Sequence, residues 1–464
     1  MATHVHYDVL VLGGGSAGCV LAARLSEDGE RTVCLVEAGP DYGPSTDGRW
    51  PEELLDPDDI PDSHQWHAEE SPHDPLRAKV IGGCSSHNGC FLVWAPAADY
   101  DAWGASWTAA DLAPFMRRAQ QTMAPDPLVY SHNDFSPWFA ATVEAADELG
   151  LPLLGDVNEP ASGVGVGTGP FNVAQGVRWN AAFAYLDPAR GRDNLTVLGD
   201  TLVDKVIVDG ERAVGAATSN GIVDADTIVL AAGAIGSPCV LLRSGVGPER
   251  ELRLLDIDVV SPLDGVGSNL ADHATVWLEF GATDELRRRT APSAPVAFSH
   301  GVIKARTERC DDDAFDVHIL PVTSRVGDGA HLTVAVMKPE SRGSVRLRSS
   351  DPGAAPEVDH RLLSDVEGRD RATIDAGLDV ARQLAERAPL RELGRLRPPA
   401  DQENQGIYFH PVGTCAIGSV VERDGRVRGF DNLYVADASI MPSVPRANTH
   451  LTVLSIAEKI AELV

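Results

Sequence analysis

The chain has 464 residues, with 44 glycines, 31 prolines and a formal charge of −29. That length allows two or three domains, and a content of 43% apolar and 23% charged residues excludes disorder as the main state. The acidic surplus argues against nucleic acid as a partner, because phosphate binding needs a basic surface.

In chain order, Tyr7–Leu12 reads as a buried parallel strand. The turn Gly13-Gly14-Gly15-Ser16-Ala17-Gly18 follows, then a helix over Cys19–Ser26 and a strand over Thr32–Val36 that ends at Glu37. Residues 40–76 are rich in Pro, Asp and Gly without a period and read as a long irregular excursion. Helical spacing follows over 101–150, with Leu112, Phe115, Met116 and Ala119 on one face and Phe139, Val143 and Ala146 on another. Short strands are expected at Leu195–Leu198, Val203–Val208 and Ala213–Thr218, with a buried strand at Thr227–Ala232. Antiparallel strands recur over 274–348, such as His331–Met337 and Ser344–Leu347, before a helix at 366–387. A strand at Leu433–Ala436 and a helix at Leu451–Leu463 close the chain.

The richest apolar run, Thr227 to Leu242, is broken by Gly, Ser and Pro238, so no membrane span is expected. The N-terminus lacks a basic region, so no signal peptide is expected. The seven cysteines (19, 34, 84, 90, 239, 310, 415) are odd in number and form no CxxC pair, which predicts reduced thiols and a cytoplasmic protein. Oligomeric state leaves no mark in the sequence.

Gly13, Gly15 and Gly18 make G-x-G-x-x-G between a strand and a helix. Such glycines permit the tight turn, let backbone approach a pyrophosphate and pack helix on strand, and the helix N-terminus that follows the turn with Ser16 faces the phosphate charge. Glu37 follows Gly18 by 19 residues, where an acid accepts hydrogen bonds from a ribose. A dinucleotide is therefore expected. The motif alone does not separate FAD from NAD.

Beyond that turn, Lys79–Pro96 (KVIGGCSSHNGCFLVWAP) resembles the flavin-contacting signature of the glucose–methanol–choline (GMC) oxidoreductases, and of their choline-oxidising members most of all. The second family signature runs from Gly233 through Ser237, Pro238, Ser244 and Gly245 to Gly247. Further family-like stretches are Gly265–His273, Ser341-Arg342-Gly343, His410-Pro411-Val412-Gly413-Thr414, Asp437-Ala438-Ser439 and Asn448-Thr449-His450. These motifs fall in family order across nearly the whole chain. The resemblance implies an α/β fold of two domains (α+β overall), the GMC oxidoreductase fold. A Rossmann-like FAD-binding domain would take residues 1–100, 171–273 and 425–464. A substrate domain on an antiparallel sheet would take 101–170 and 274–424.

The same resemblance assigns roles. His87 stands where choline-oxidising members join the flavin covalently, so FAD attached through His87 is expected. Gly83, Asn88 and Gly89 match flavin-side loop positions, although Gly89 replaces a serine. Val203 matches a backbone contact to adenine, and Asp437 with Ala438 a stretch along the ribityl–pyrophosphate. His410 and His450 match the active-site pair, His410 as principal base or alkoxide stabiliser and His450 as its partner, since hydride loss from an alcohol carbon needs the hydroxyl proton removed. His450 precedes the terminal helix, whose positive end would favour an anionic reduced flavin. Trp50 and His318 are candidate substrate contacts.

The implied function is FAD-dependent oxidation of a small-molecule alcohol, with O2 or another electron acceptor. No carboxylate for a quaternary ammonium group is identifiable, so an alcohol other than choline is expected. A lyase that keeps FAD without net redox chemistry, and an NAD-linked dehydrogenase, stand as alternatives. No metal site is expected: His64, His67 and His73 read as a solvated loop, and Arg287-Arg288-Arg289 as a surface face.

Overall fold

The computed structural model describes residues 6–66, 77–290, 299–323, 329–398 and 405–464. His67 and His73 lie outside these residues.

One sheet is built from the two ends of the chain and a central stretch. Its strands run Leu195–Leu198, Val33–Val36, His6–Leu12, Gly221–Leu230, Arg212–Thr218, Val203–Asp209, with Leu433–Val435 added beside Gly221–Leu230. The pairings around His6–Leu12 are parallel, with Leu12 opposite both Val36 and Leu230. The last two strands turn back antiparallel. Every residue of Val33–Val36 and the last four of His6–Leu12 are buried, because helices cover both faces of a parallel layer. Helix Ser16–Leu25 packs on this layer and on the terminal helix His450–Ile460.

A second sheet runs Gly394–Leu396, Ala274–Ala282, Gly329–Val336, Val317–Thr323, Val302–Ala305, Gly165–Gly167, Leu153–Leu154, with Gln405–Ile407 also on Ala274–Ala282. Side chains alternate across it with period two. Val276, Leu278, Phe280, Ile319, Leu332 and Val334 bury against the helices Pro137–Glu148, Arg369–Ala385 and Ala388–Leu393. Each such side chain contributes about 1.5–3 kcal/mol of burial. The opposite face sends Trp277, Glu279, Leu320, His331 and Thr333 toward the first domain.

The predicted domain boundaries shift in two places. Helix Ala109–Met123, capped by Thr108 and Asp111, belongs with the first core rather than the substrate domain: Trp107, Leu112, Met116 and Met123 pack there, and Arg118 reaches Glu458 of the terminal helix. Val412, Cys415, Val420 and Val421 also join that core, so the segment after His410 returns earlier than residue 425. Arg287, Arg288 and Arg289 are exposed and paired with Asp284 and Glu285 on their own short helix, as expected of a surface face. Among the described residues the seven cysteines are free, and no helix is long and apolar enough to cross a membrane.

Candidate active site

A cavity of about 1020 Å³ runs between the two sheets, at the large end for a single ligand site. At one end it meets the glycine turn. Gly18 packs so closely that a Cβ would stand 1.8 Å from the Gly13 carbonyl oxygen, and a Cβ on Gly83 would stand 2.6 Å from Gly15 Cα. Two backbones thus meet with no side chain between them, and Gly13, Gly15, Ser16, Gly83 and Glu37 line the cavity there. Glu37 accepts the amide hydrogens of Gly14 and Gly39, each at 2.8 Å, and burial pushes its carboxyl up to about 7 against those amides. Gly18 thus closes the helix on the turn, and Glu37 holds the turn's own amides.

The loop after Val80 forms a short turn of helix, Gly83–Ser86, that delivers His87, Asn88 and Gly89 to the wall. His87 is buried, and neither ring nitrogen has a hydrogen-bond partner. Burial, then the Arg178 charge, lowers its pKa to about 4, so the imidazole is neutral. Asn88 turns inward, its Oδ1 accepting the Cys90 amide hydrogen at 3.0 Å, while Gly89 has open space beside it. Arg178, which sequence reasoning missed, donates to the carbonyls of Ser86, Asp56 and Asp59 and so ties the irregular excursion over the His87 loop. Nothing in its local sequence marks that role.

Farther along, Val203, Ala231 and Ala232 line the cavity beside Asp437 and Ala438. The Asp437 carboxylate faces the protein, accepting from the Gly233 amide and the Ser237 and Ser439 hydroxyls, so this aspartate braces the backbone.

His410 and His450 line the same cavity. His410 Nδ1 is 3.1 Å from His273 Nδ1, its Nε2 is 3.3 Å from Asn448 Nδ2, and its main-chain N–H donates to Asp272 Oδ1 at 3.0 Å. Phe409 precedes it at φ +62°, a left-handed conformation that a bulky residue rarely adopts. His450 opens the terminal helix, with Nδ1 at 3.3 Å from Ser16 Oγ and Nε2 without a partner. Burial lowers the pKa to about 3 for His410 and about 4 for His450, so both are neutral bases. The direct ring partners of His410 are thus His273 and Asn448. Sequence reading quoted both residues within motifs but gave neither a role.

Two candidates lie elsewhere. Trp50 is buried in the first core, donates Nε1–H to the Gly43 carbonyl at 2.9 Å and packs on Phe183, away from the cavity wall. His318 stacks on Phe315 at 5.1 Å, behind Tyr408, and also stays out of the wall. The aromatic wall instead comprises Trp66, Phe91, Tyr130, Phe171, Trp277, Tyr408 and Phe409. Among the described residues no cluster could hold a metal ion.

A glycine-cradled dinucleotide cavity that opens onto neutral histidines under an antiparallel sheet defines an FAD-dependent oxidoreductase acting on alcohol-type donors. The chain belongs to the GMC oxidoreductase family, whose N-terminal model matches residues 7–275 and whose C-terminal model matches 339–457. It is 32% identical over 528 residues to choline oxidase of Arthrobacter globiformis, covering 99% of this chain and 94% of that protein. An oxygen-dependent choline dehydrogenase of Paraburkholderia phytofirmans is 32% identical over 535 residues, with 98% and 94% covered. Among solved structures, pyridoxine 4-oxidase from Mesorbium loti matches at TM-score 0.85 and 27% identity, covering 98% of each chain. A formate oxidase of Aspergillus oryzae matches in fold at TM-score 0.83 and 21% identity, with 100% of this chain and 98% of that one covered.

Proposed function

We propose that the chain oxidises a primary or secondary alcohol other than choline to the aldehyde or ketone, with His410 as the proton acceptor. The single observation that carries this reading is the placement of His410, buried and neutral, on the wall of the cavity that begins at the glycine turn.

The donor set fits FAD. Gly13, Gly15 and Ser16 line the cavity where the pyrophosphate would lie, Gly18 lets the helix close on the turn, and Glu37 and Val203 would border the ribose and adenine. Asp437 and Ala438 offer backbone to the ribityl chain, while Gly83, Asn88 and Gly89 border the ring. His87 supplies a neutral, unpartnered imidazole nitrogen at the cavity, which is what a histidyl link to the flavin requires. Bound FAD supplies the hydride acceptor, and O2 then serves as terminal acceptor, giving H2O2.

The protein's own work is proton handling and orientation. His410 Nε2 takes the hydroxyl proton as the carbinol C–H bond gives up hydride, which leaves the carbonyl. His450 and Asn448 hold the oxygen on its line, and the positive end of the terminal helix sits at His450.

The test is His410→Ala in FAD-loaded protein. The variant is expected to keep its yellow flavin while anaerobic reduction by the alcohol slows by roughly 10²–10⁴-fold, the usual worth of a general base. Near-wild-type reduction would reject the assignment.

A further inference from the structure

His273 and His410 are both buried and meet Nδ1 to Nδ1 at 3.1 Å. Two imidazole nitrogens at that distance share one hydrogen, so one ring donates and the other accepts. On His410, the remaining Nε2 faces the Asn448 amide nitrogen, a donor. Nε2 therefore carries the lone pair, and Nδ1 the hydrogen. On His273, the nitrogen that His410 leaves over, Nε2, has no hydrogen-bond partner and sets no direction of its own. The direction of the shared hydrogen is thus set at the His410 end, by Asn448.

We infer that His273 is a positioning residue: its Nδ1 accepts the Nδ1–H of His410 and thereby keeps His410 Nε2 bare, with its lone pair on Asn448 in the free protein and given over to the substrate's hydroxyl proton when the alcohol binds. The inference rests on the reading of His410 as the base. The opposite tautomer would present an N–H to the hydroxyl and leave its proton nowhere to go, the same failure that a mis-set tautomer causes in other histidine-dependent sites. The rest of the surroundings is compatible with this direction. Tyr408 packs on His410 at 4.7 Å between ring centroids, and His318 lies behind it with Lys304 beyond. Asp272 takes the main-chain N–H of His410 rather than a ring hydrogen. The two ring nitrogens of His410 are thus accounted for by His273 on one side and Asn448 on the other.

The direct test is nitrogen NMR on ¹⁵N-histidine-labelled holoprotein, with the two rings assigned by the signals lost in His410→Asn and His273→Asn. His410 is expected to be protonated at Nδ1 and bare at Nε2, and His273 bare at Nδ1. The reversed pattern would overturn the proposal. A kinetic arm uses any alcohol that bleaches the wild-type flavin. His273→Leu should slow the limiting rate of reduction on the order of 10²-fold while the half-saturating alcohol concentration changes less than about threefold, the pattern of lost transition-state support. His273→Asn, whose Oδ1 falls near the lost Nδ1, should restore much of that rate, and His273→Gln should not. Equal rates in the Leu, Asn and Gln variants would reduce His273 to packing and reject the proposal. If no alcohol bleaches the wild type, the reading of the function fails, and the NMR pattern still decides the tautomer.

Discussion

His87 is buried and neutral with both ring nitrogens unpartnered, as His318 is, but of the two only His87 lines the cavity. A buried imidazole left unpaired costs on the order of 1–3 kcal/mol, a cost that the proposed bond to the flavin would offset at His87. FAD is therefore expected to remain with wild-type protein through acid precipitation and to be released from His87→Ala. Release from the wild type would dismiss the link. At this scale, the residues legible in the sequence were those inside contiguous motifs, such as the glycine turn, Glu37, His87 and His410. Arg178, His273 and Asn448 were not legible as working residues. The contact between His273 and His410 joins positions 137 residues apart, and no local spacing encodes it. Trp50 was misread because it sits in an aperiodic excursion, where counting residues says nothing about direction.

Among elements, the segment ahead of the terminal helix positions Asn448 and His450, and Arg446 holds that segment. Its guanidinium is 1% exposed and is shared between Asp99 at 2.7 Å and Asp312 at 2.8 Å, with a further hydrogen bond to the Phe315 carbonyl. Asp99 lies in the helix Ala97–Asp101 of the first domain, and Asp312 in a loop leading to the second sheet. The guanidinium holds the Asp312 carboxyl well below the usual carboxylate range. Arg446→Ala leaves Asp99 buried without its partner and is expected to lower stability by about 3 kcal/mol, seen as an earlier urea or thermal midpoint. A midpoint unchanged from wild type would mean that the triad is ornamental. The parallel strands of the first sheet were readable because unbroken apolar runs mark buried parallel strands. Helix Ala109–Met123 was assigned to the wrong domain for an equally physical reason: its apolar stripe shows that it packs, not which core receives it.

At the scale of the whole molecule, burial dominates the titration behaviour. His87, His300, His331 and His450 are each lowered to about 4, and His410 to about 3, chiefly by burial. A group whose folded pKa is depressed from about 6.5 contributes stability that is present above that pH and is lost as pH falls through the folded value. Glu37, raised to about 7, works in the opposite sense, and its share is lost as pH rises through 7. The histidines outnumber it, at about 1.4 kcal/mol for each tenfold loss of proton affinity. The melting temperature of the apoprotein is therefore expected to fall between pH 6.5 and 4. A flat or rising profile over that window would contradict these burial assignments.

In the proposed reaction an alcohol delivers hydride across the cavity while His410 takes the proton. The measurement that tests it most directly is anaerobic flavin absorbance of the FAD-loaded protein against a panel of benzylic, pyridyl, aliphatic and amino alcohols with choline included, followed by admission of air. Bleaching by at least one alcohol other than choline, with rapid return of the yellow colour in air, is the predicted result. A fully loaded flavin that no alcohol bleaches would contradict it.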